Sequence, residues 1–104
     1  MNMFNKRAEG ERLIHSRIYR YLTCYRYLFA NTNKKNDRIL YIQVANDKGD
    51  ICFTLLNKET GEKQELVNPE AGKYEYRLTK GQKYVLVIKA TGACGKYEIT
   101  MKNV

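Results

Sequence analysis

From Arg38 to the last residue, short runs of alternating apolar and polar side chains are cut at regular intervals by clusters of glycine, asparagine, aspartate, lysine and threonine. This rhythm constrains the fold more than any other feature. A side-chain period of two belongs to half-buried strands, and turn clusters at this spacing belong to antiparallel sandwiches and barrels. Leu40, Ile42 and Val44 alternate with Tyr41 and Gln43, after which Asn46, Asp47, Lys48 and Gly49 read as a hairpin turn. The return run sets Ile51, Phe53 and Leu55 on one face and Cys52, Thr54 and Leu56 on the other. Residues 62–67 are polar and read as an edge strand. Tyr74, Tyr76 and Leu78 alternate with Lys73, Glu75 and Arg77. Residues 83–90 are apolar at nearly every position, the mark of a central strand covered on both faces. Beyond a loop containing Gly92 and Gly95, Tyr97, Ile99 and Met101 oppose Glu98, Thr100 and Lys102 in the last strand.

The front third is ambiguous in period. Ile14, Ile18, Tyr21, Leu22, Tyr25, Leu28 and Phe29 recur at helical spacing, while the tyrosines and β-branched residues among them favour strand. The reading that reconciles the two is a helix over about residues 8–22, a strand over about 24–30 and a polar loop over 31–37. The expected fold is therefore all-β, an antiparallel jelly-roll-like β-sandwich of six or seven strands with a short N-terminal helix or arm. Residues 1–23 form the basic arm and 24–104 the sandwich. A chain of 104 residues has the size of one domain, and nine tyrosines with a single proline and no tryptophan suit pleated surfaces better than a helical bundle.

The formal charge of +8 sits mostly at the front: residues 1–38 hold nine Lys/Arg against three acids, the remainder ten against eight. Such a field attracts phosphates, anionic lipids or acidic proteins, and also keeps a small protein in solution. Apolar runs stay short of the roughly 18 residues of a membrane helix, because Arg17, Arg20 and Arg26 interrupt the richest stretch. Cys24, Cys52 and Cys94 form neither a disulfide framework nor a metal-ligand pattern, and three reduced thiols fit them better than one bridge with a spare. The compartment stays open on these grounds.

Catalytic chemistry finds no constellation. His15 is the only histidine, and on a helix Cys24 would lie on the opposite face. The run 90–96 ends in Gly95-Lys96 but lacks the first glycine and the Ser/Thr of a phosphate loop. Asn46, Asp47 and Asp50 lack the alternation and distal glutamate of a calcium loop. A non-enzymatic chain with no metal and no cofactor is the expectation. The most suggestive feature is the arm, where Arg17, Arg20 and Arg26 interleave with Tyr19, Tyr21, Tyr25 and Tyr27, followed by Lys34, Lys35 and Arg38. Arginine can clamp phosphate and tyrosine can stack on bases, which makes Arg17, Arg20, Arg26, Lys34, Lys35, Arg38, Tyr19 and Tyr27 the candidate anion- or partner-binding set. The bland alternative has the tyrosines packed on the sheet and the arginine stems covering its rim. Two further functions follow: a small nucleic-acid binder, or an edge near residues 62–67 that augments a partner's sheet.

The strand and loop "YRYLFANTNKKNDRILYIQV", the segment "KGDICFTLLNKETG" and the closing "GKYEYRLTKGQKYVLVIKATGACGKYEITMK" together resemble the bacterial pre-peptidase C-terminal type of β-sandwich and related small jelly-roll modules. The resemblance runs from Tyr25 to the end and is one of strand-and-turn pattern. It implies a non-catalytic binding or accessory module, often secreted or at a surface, whose partner is another protein or a glycan. Some such modules hold calcium in a loop, for which this chain has no pattern.

Overall fold

Three strands of 20 residues each carry the fold. The computed structural model describes residues 10–104, with only the backbone described for 10–12, 15 and 16. Strand β1 spans Gly10–Phe29, β2 Arg38–Asn57, β3 Lys63–Val67, β4 Gly72–Leu78 and β5 Tyr84–Asn103. All pairing is antiparallel, and β5 lies between β1 and β2 along their whole lengths. β4 pairs with residues 38–44 of β2, whereas β3 pairs with residues 52–56.

Strands this long cannot stay flat and bury one face. Midway, β2 and β5 turn a corner together, and the burial pattern shows how. In β2 the buried positions are Leu40, Ile42 and Val44 before the corner, then Ile51, Phe53 and Leu55 after it. In β5 the inward positions are Tyr84, Leu86, Ile88 and Ala90, then Ala93, Tyr97, Ile99 and Met101, while Val85, of the other parity, is buried among its outer-face neighbours. Each strand switches parity once. The switch falls where the register slips, between Asn46↔Gly95, Lys48↔Cys94 and Asp50↔Thr91. A bulged residue flips the alternation, so the face that turns inward remains inward around the bend. Gly49 and Gly92 take positive φ there, and a Cβ on Gly49 would run into the Gly92 carbonyl oxygen. A Cβ on Gly95 would likewise meet the Ala45 carbonyl oxygen. Close backbone approach requires glycine at 49 and 95, and positive φ favours it at 92.

The corner folds the network into two layers. The first sheet runs β1 (residues 10–19), β5 (95–103), β2 (38–46), β4; the second runs β1 (22–29), β5 (84–93), β2 (50–57), β3. Counted by face, the long strands each contribute twice, and the two four-stranded layers with these orders make a double-sheet jelly roll. Side chains from both layers interdigitate in the core, as in the edge-to-face pair of Phe53 in the second sheet and Tyr97 in the first, with centroids 5.9 Å apart. Between strands the chain changes layer at residues 30–37, 68–71 and 79–83, and the first and last of these hydrogen-bond to each other through Thr32, Asn33, Gly81 and Gln82.

The all-β sandwich expected from the sequence is the observed fold. The helix expected at 8–22 is not: residues 10–22 belong to β1, and residues 8 and 9 lie outside the described part. The helical spacing arises because β1 carries register shifts between Arg12/Ile14, Ile14/Arg17, Tyr19/Leu22 and Leu22/Cys24. Its inward residues thus fall at Ile14, Tyr19, Leu22, Cys24 and Leu28, neither strictly alternating nor helical. β1 also crosses the expected arm boundary at residues 23 and 24 without a break, so 10–23 are part of the sandwich. The hairpin expected at Asn46–Gly49 is the corner within β2, and the loop at 92–95 is the matching corner of β5.

Candidate interaction face

The residues singled out for anion binding are spread along the molecule. Tyr19 is 8% exposed, packs on Tyr97 at 5.4 Å between centroids and donates its hydroxyl to Asn46 Oδ1 at 3.2 Å. It cannot stack on a base, and it fills the corner between the layers instead. Arg17, opposite Tyr97, and Arg20 lie near the corner end, whereas Arg38 pairs with Asn103 at the far end of the same sheet. The six residues from 97 to 103 place those ends roughly 20 Å apart. Lys34 and Lys35 are exposed on the loop after β1. Arg26 reaches from the exposed edge of the second sheet to the Tyr97 hydroxyl and tempers the rise that burial imposes on that phenol. Only Tyr27 belongs to a contiguous surface with a distinct chemistry.

That surface is the outer face of the second sheet. Cross-strand register sets its outward side chains in three rows: Tyr25–Lys89–Cys52–Val67, Tyr27–Val87–Thr54–Glu65 and Phe29–Val85–Leu56–Lys63. The outer members stand clear of the protein, with Phe29 65%, Tyr25 62%, Val67 61% and Tyr27 59% exposed. Tyr25 and Tyr27 meet edge to face at 5.4 Å, and Lys58 Nζ lies 5.5 Å from the Phe29 ring centroid. The aromatic side chains of β1 and Lys63 and Glu65 of β3 stand beside the smaller Cys52, Thr54, Val85 and Val87, and with Lys89 and Leu56 in the outer rows they line an open groove of about 930 Å³. Asp50 at its corner end accepts from Asn68 Nδ2 at 3.1 Å.

The outer face of the first sheet is different. Lys73 and Lys102 lie over the Tyr41 ring at 4.5 and 5.6 Å, and Glu75, Arg77, Lys96 and Glu98 stand around it. It is a solvated, mixed-charge surface. The interior between the sheets is packed with Leu40, Ile42, Phe53, Leu86, Ile88 and Ile99, and among the described residues the buried polar side chain is Asn57. Asn57 caps the β2–β3 turn, accepting from the Glu59 and Thr60 amides and donating to Gln82 Oε1 at 2.6 Å. Among the described residues no three His, Cys, Asp or Glu side chains converge as metal ligands, and no helix is long and apolar enough to cross a membrane. Cys24, Cys52 and Cys94 are free thiols, and Cys94 Sγ accepts the Tyr21 amide at 3.2 Å within the strand corner.

Fold and surface define a jelly-roll β-sandwich with one polar and one apolar outer face. No protein-family model matches the chain, and no curated protein matches it. Among solved structures, it is similar to RmlC from Streptococcus suis, determined in complex with dTDP-D-xylose, at 18% identity and a TM-score of 0.57. That match covers 97% of this chain but spans only 47% of the RmlC chain, about half its length. PliG of Aeromonas hydrophila, a periplasmic lysozyme inhibitor of g-type lysozyme, aligns at 14% identity and a TM-score of 0.49, over 99% of this chain and 93% of that one. At 18% identity the likeness to RmlC is one of fold.

Proposed function

We propose that this chain is a non-catalytic protein-interaction module that docks its partner on the outer face of its second sheet. One observation carries the reading: β5 is apolar at consecutive positions, Val85 and Val87 facing out while Leu86 and Ile88 fill the core, and although Val85 is only 9% exposed among its row neighbours, no strand or loop of the described residues lies across this outward face. A strand with both faces apolar is built to be covered on both. Contiguous exposed aromatic and aliphatic side chains rimmed by charge are what protein interfaces present. The apolar packing between the sheets supports a binding role over catalysis, and the spread of Arg17, Arg20, Lys34, Lys35 and Arg38 over opposite ends weighs against a nucleic-acid track.

The test is face-specific co-purification from extracts of the source organism, using tagged wild type, Val87→Glu and, on the polar face, Tyr41→Glu. The expected result is one protein recovered in stoichiometric amount with wild type and Tyr41→Glu and lost with Val87→Glu. Equal recovery with all three, or loss with Tyr41→Glu alone, overturns the reading.

A further inference from the structure

We infer that the groove on the second sheet receives a single amphipathic helix of the partner, with an apolar stripe on one side and acidic residues at its flanks. The inference rests on the reading that this face docks a protein, and adds the partner's shape and charge.

Shape comes first. β1 and β3 bound the groove and lie three strand spacings apart, roughly 14 Å. On one side stand Tyr25, Tyr27 and Phe29, on the other Lys63, Glu65 and Val67, with Lys89 and Cys52, Val87 and Thr54, and Val85 and Leu56 in the floor between them, row by row. A helix is about 10–12 Å across with its side chains, comparable with the backbone-to-backbone width, so one helix can lie along the strands above the floor with the wall side chains against its flanks. The open length over residues 85–91 is roughly 20 Å, which corresponds to about 13 residues of helix. Such a helix sets residues i, i+3, i+4 and i+7 on the floor, the usual way a helix engages a groove.

Area argues against a second copy of this chain. The floor alone projects to roughly 300 Å², too little for two flat sheet faces to pair through it, whereas a helix seated on it also buries against the Tyr25, Tyr27 and Phe29 side chains at its flank. Two copies, each at +8, also repel. Charge then selects the partner. Lys58, beside Phe29 on the β1 side, and Lys63 on β3 flank the same end of the groove from opposite sides and Lys89 lies in its first row, while Asp50 at the corner end is engaged by Asn68 and Glu65 is the acid of the β3 wall. Acidic flanks meet the lysines, and basic flanks would meet like charge in a partly desolvated groove.

The experiment uses the intact 15N-labelled protein and two designed peptides of about 14 residues, with leucine at i, i+3, i+4 and i+7 and either glutamate or lysine at the flanks. The glutamate peptide is expected to shift the amides of Thr54, Val85 and Val87 and to gain helical circular dichroism on binding. Its affinity should exceed that of the lysine peptide at least about tenfold and fall about tenfold between about 0.05 and 0.5 M salt. Val87→Glu should abolish binding, and Lys58→Glu/Lys63→Glu should reverse the peptide preference while leaving the protein's own amide spectrum dispersed. Equal binding of both peptides overturns the inference, as do shifts confined to the Lys63–Val67 backbone, which mean strand addition. If neither peptide binds while Val87→Glu still loses the co-purified partner, the helix inference falls and the docking face stands. Binding to phosphatidylserine vesicles that Val87→Glu abolishes, with neither peptide bound, overturns it in favour of a membrane surface.

Discussion

At the scale of single residues, the corner is where the chain tolerates least. Gly49 combines positive φ with backbone contact, while Gly61 has similar φ and open space around its Cβ position. Gly61→Ala should therefore cost about 1 kcal/mol through φ alone. Gly49→Ala should cost at least about twice that, because strain and collision add, and comparison of urea midpoints checks the difference. Tyr19, buried beside Gly49's corner, has its phenol pushed up to about 12, by burial first and by Tyr97 next. The unfolded chain loses that proton near pH 10, so the stability it contributes is complete below pH ~10 and drains away as pH rises towards 12. Urea titrations across that window should show stability falling with pH, and less steeply in Tyr19→Phe. Asp37 behaves oppositely. The Lys80 amide and the Arg77 guanidinium, 3.0 Å away, hold its carboxyl below the ordinary carboxylate range. Its contribution is present above pH ~4 and is lost as pH falls through the lowered value, so Asp37→Asn should flatten the acid limb of the stability curve.

At the scale of elements, the two parities of β5 should respond differently to truncation. Ile88→Ala, which empties a fully buried site between the layers, should cost 2–5 kcal/mol, about the range for deleting a large core side chain. Val87→Ser, one residue away on the outer face, should stay within about 1 kcal/mol in the isolated protein, measured by the same urea unfolding. Sequence pattern made the strand content, the edge position of β3 and the inward sets Leu40/Ile42/Val44, Ile51/Phe53/Leu55 and Tyr97/Ile99/Met101 legible, because period two survives wherever a strand is regular. It was misleading where bulges break that period. Asn-Asp-Lys-Gly spells a tight turn as readily as a bulged corner, since both need glycine at positive φ, and only the pairing with β5 tells them apart. In β1 four register shifts turned alternation into something resembling a helical stripe. The face proposed for docking was half legible. Tyr27 stood out, as did the double-sided apolar run at 83–90, but Tyr25, Phe29, Leu56 and Val67 join them only through cross-strand register. The arginines drew attention as a linear cluster, and a strand that turns a corner disperses such a cluster.

At the scale of the whole molecule, the jelly roll explains why one outer face is free to become specialised. The core needs only the inward side of each layer, so the outward sides answer to solvent or to a partner. The first sheet meets solvent, with Tyr41 covered by Lys73 and Lys102; the second presents tyrosines, phenylalanine and valines in register. The net charge of +8 suits the proposed acidic partner, since a basic protein approaching one gains in association rate and loses that gain in salt. The most direct test of the central claim is photo-crosslinking in cells of the source organism, with benzoylphenylalanine placed at Tyr27 in one variant and at Tyr41 in another. A discrete adduct of constant mass from position 27 and none from position 41 is the predicted result. Adducts from position 41 with none from 27 would contradict it and place the docking surface on the opposite sheet.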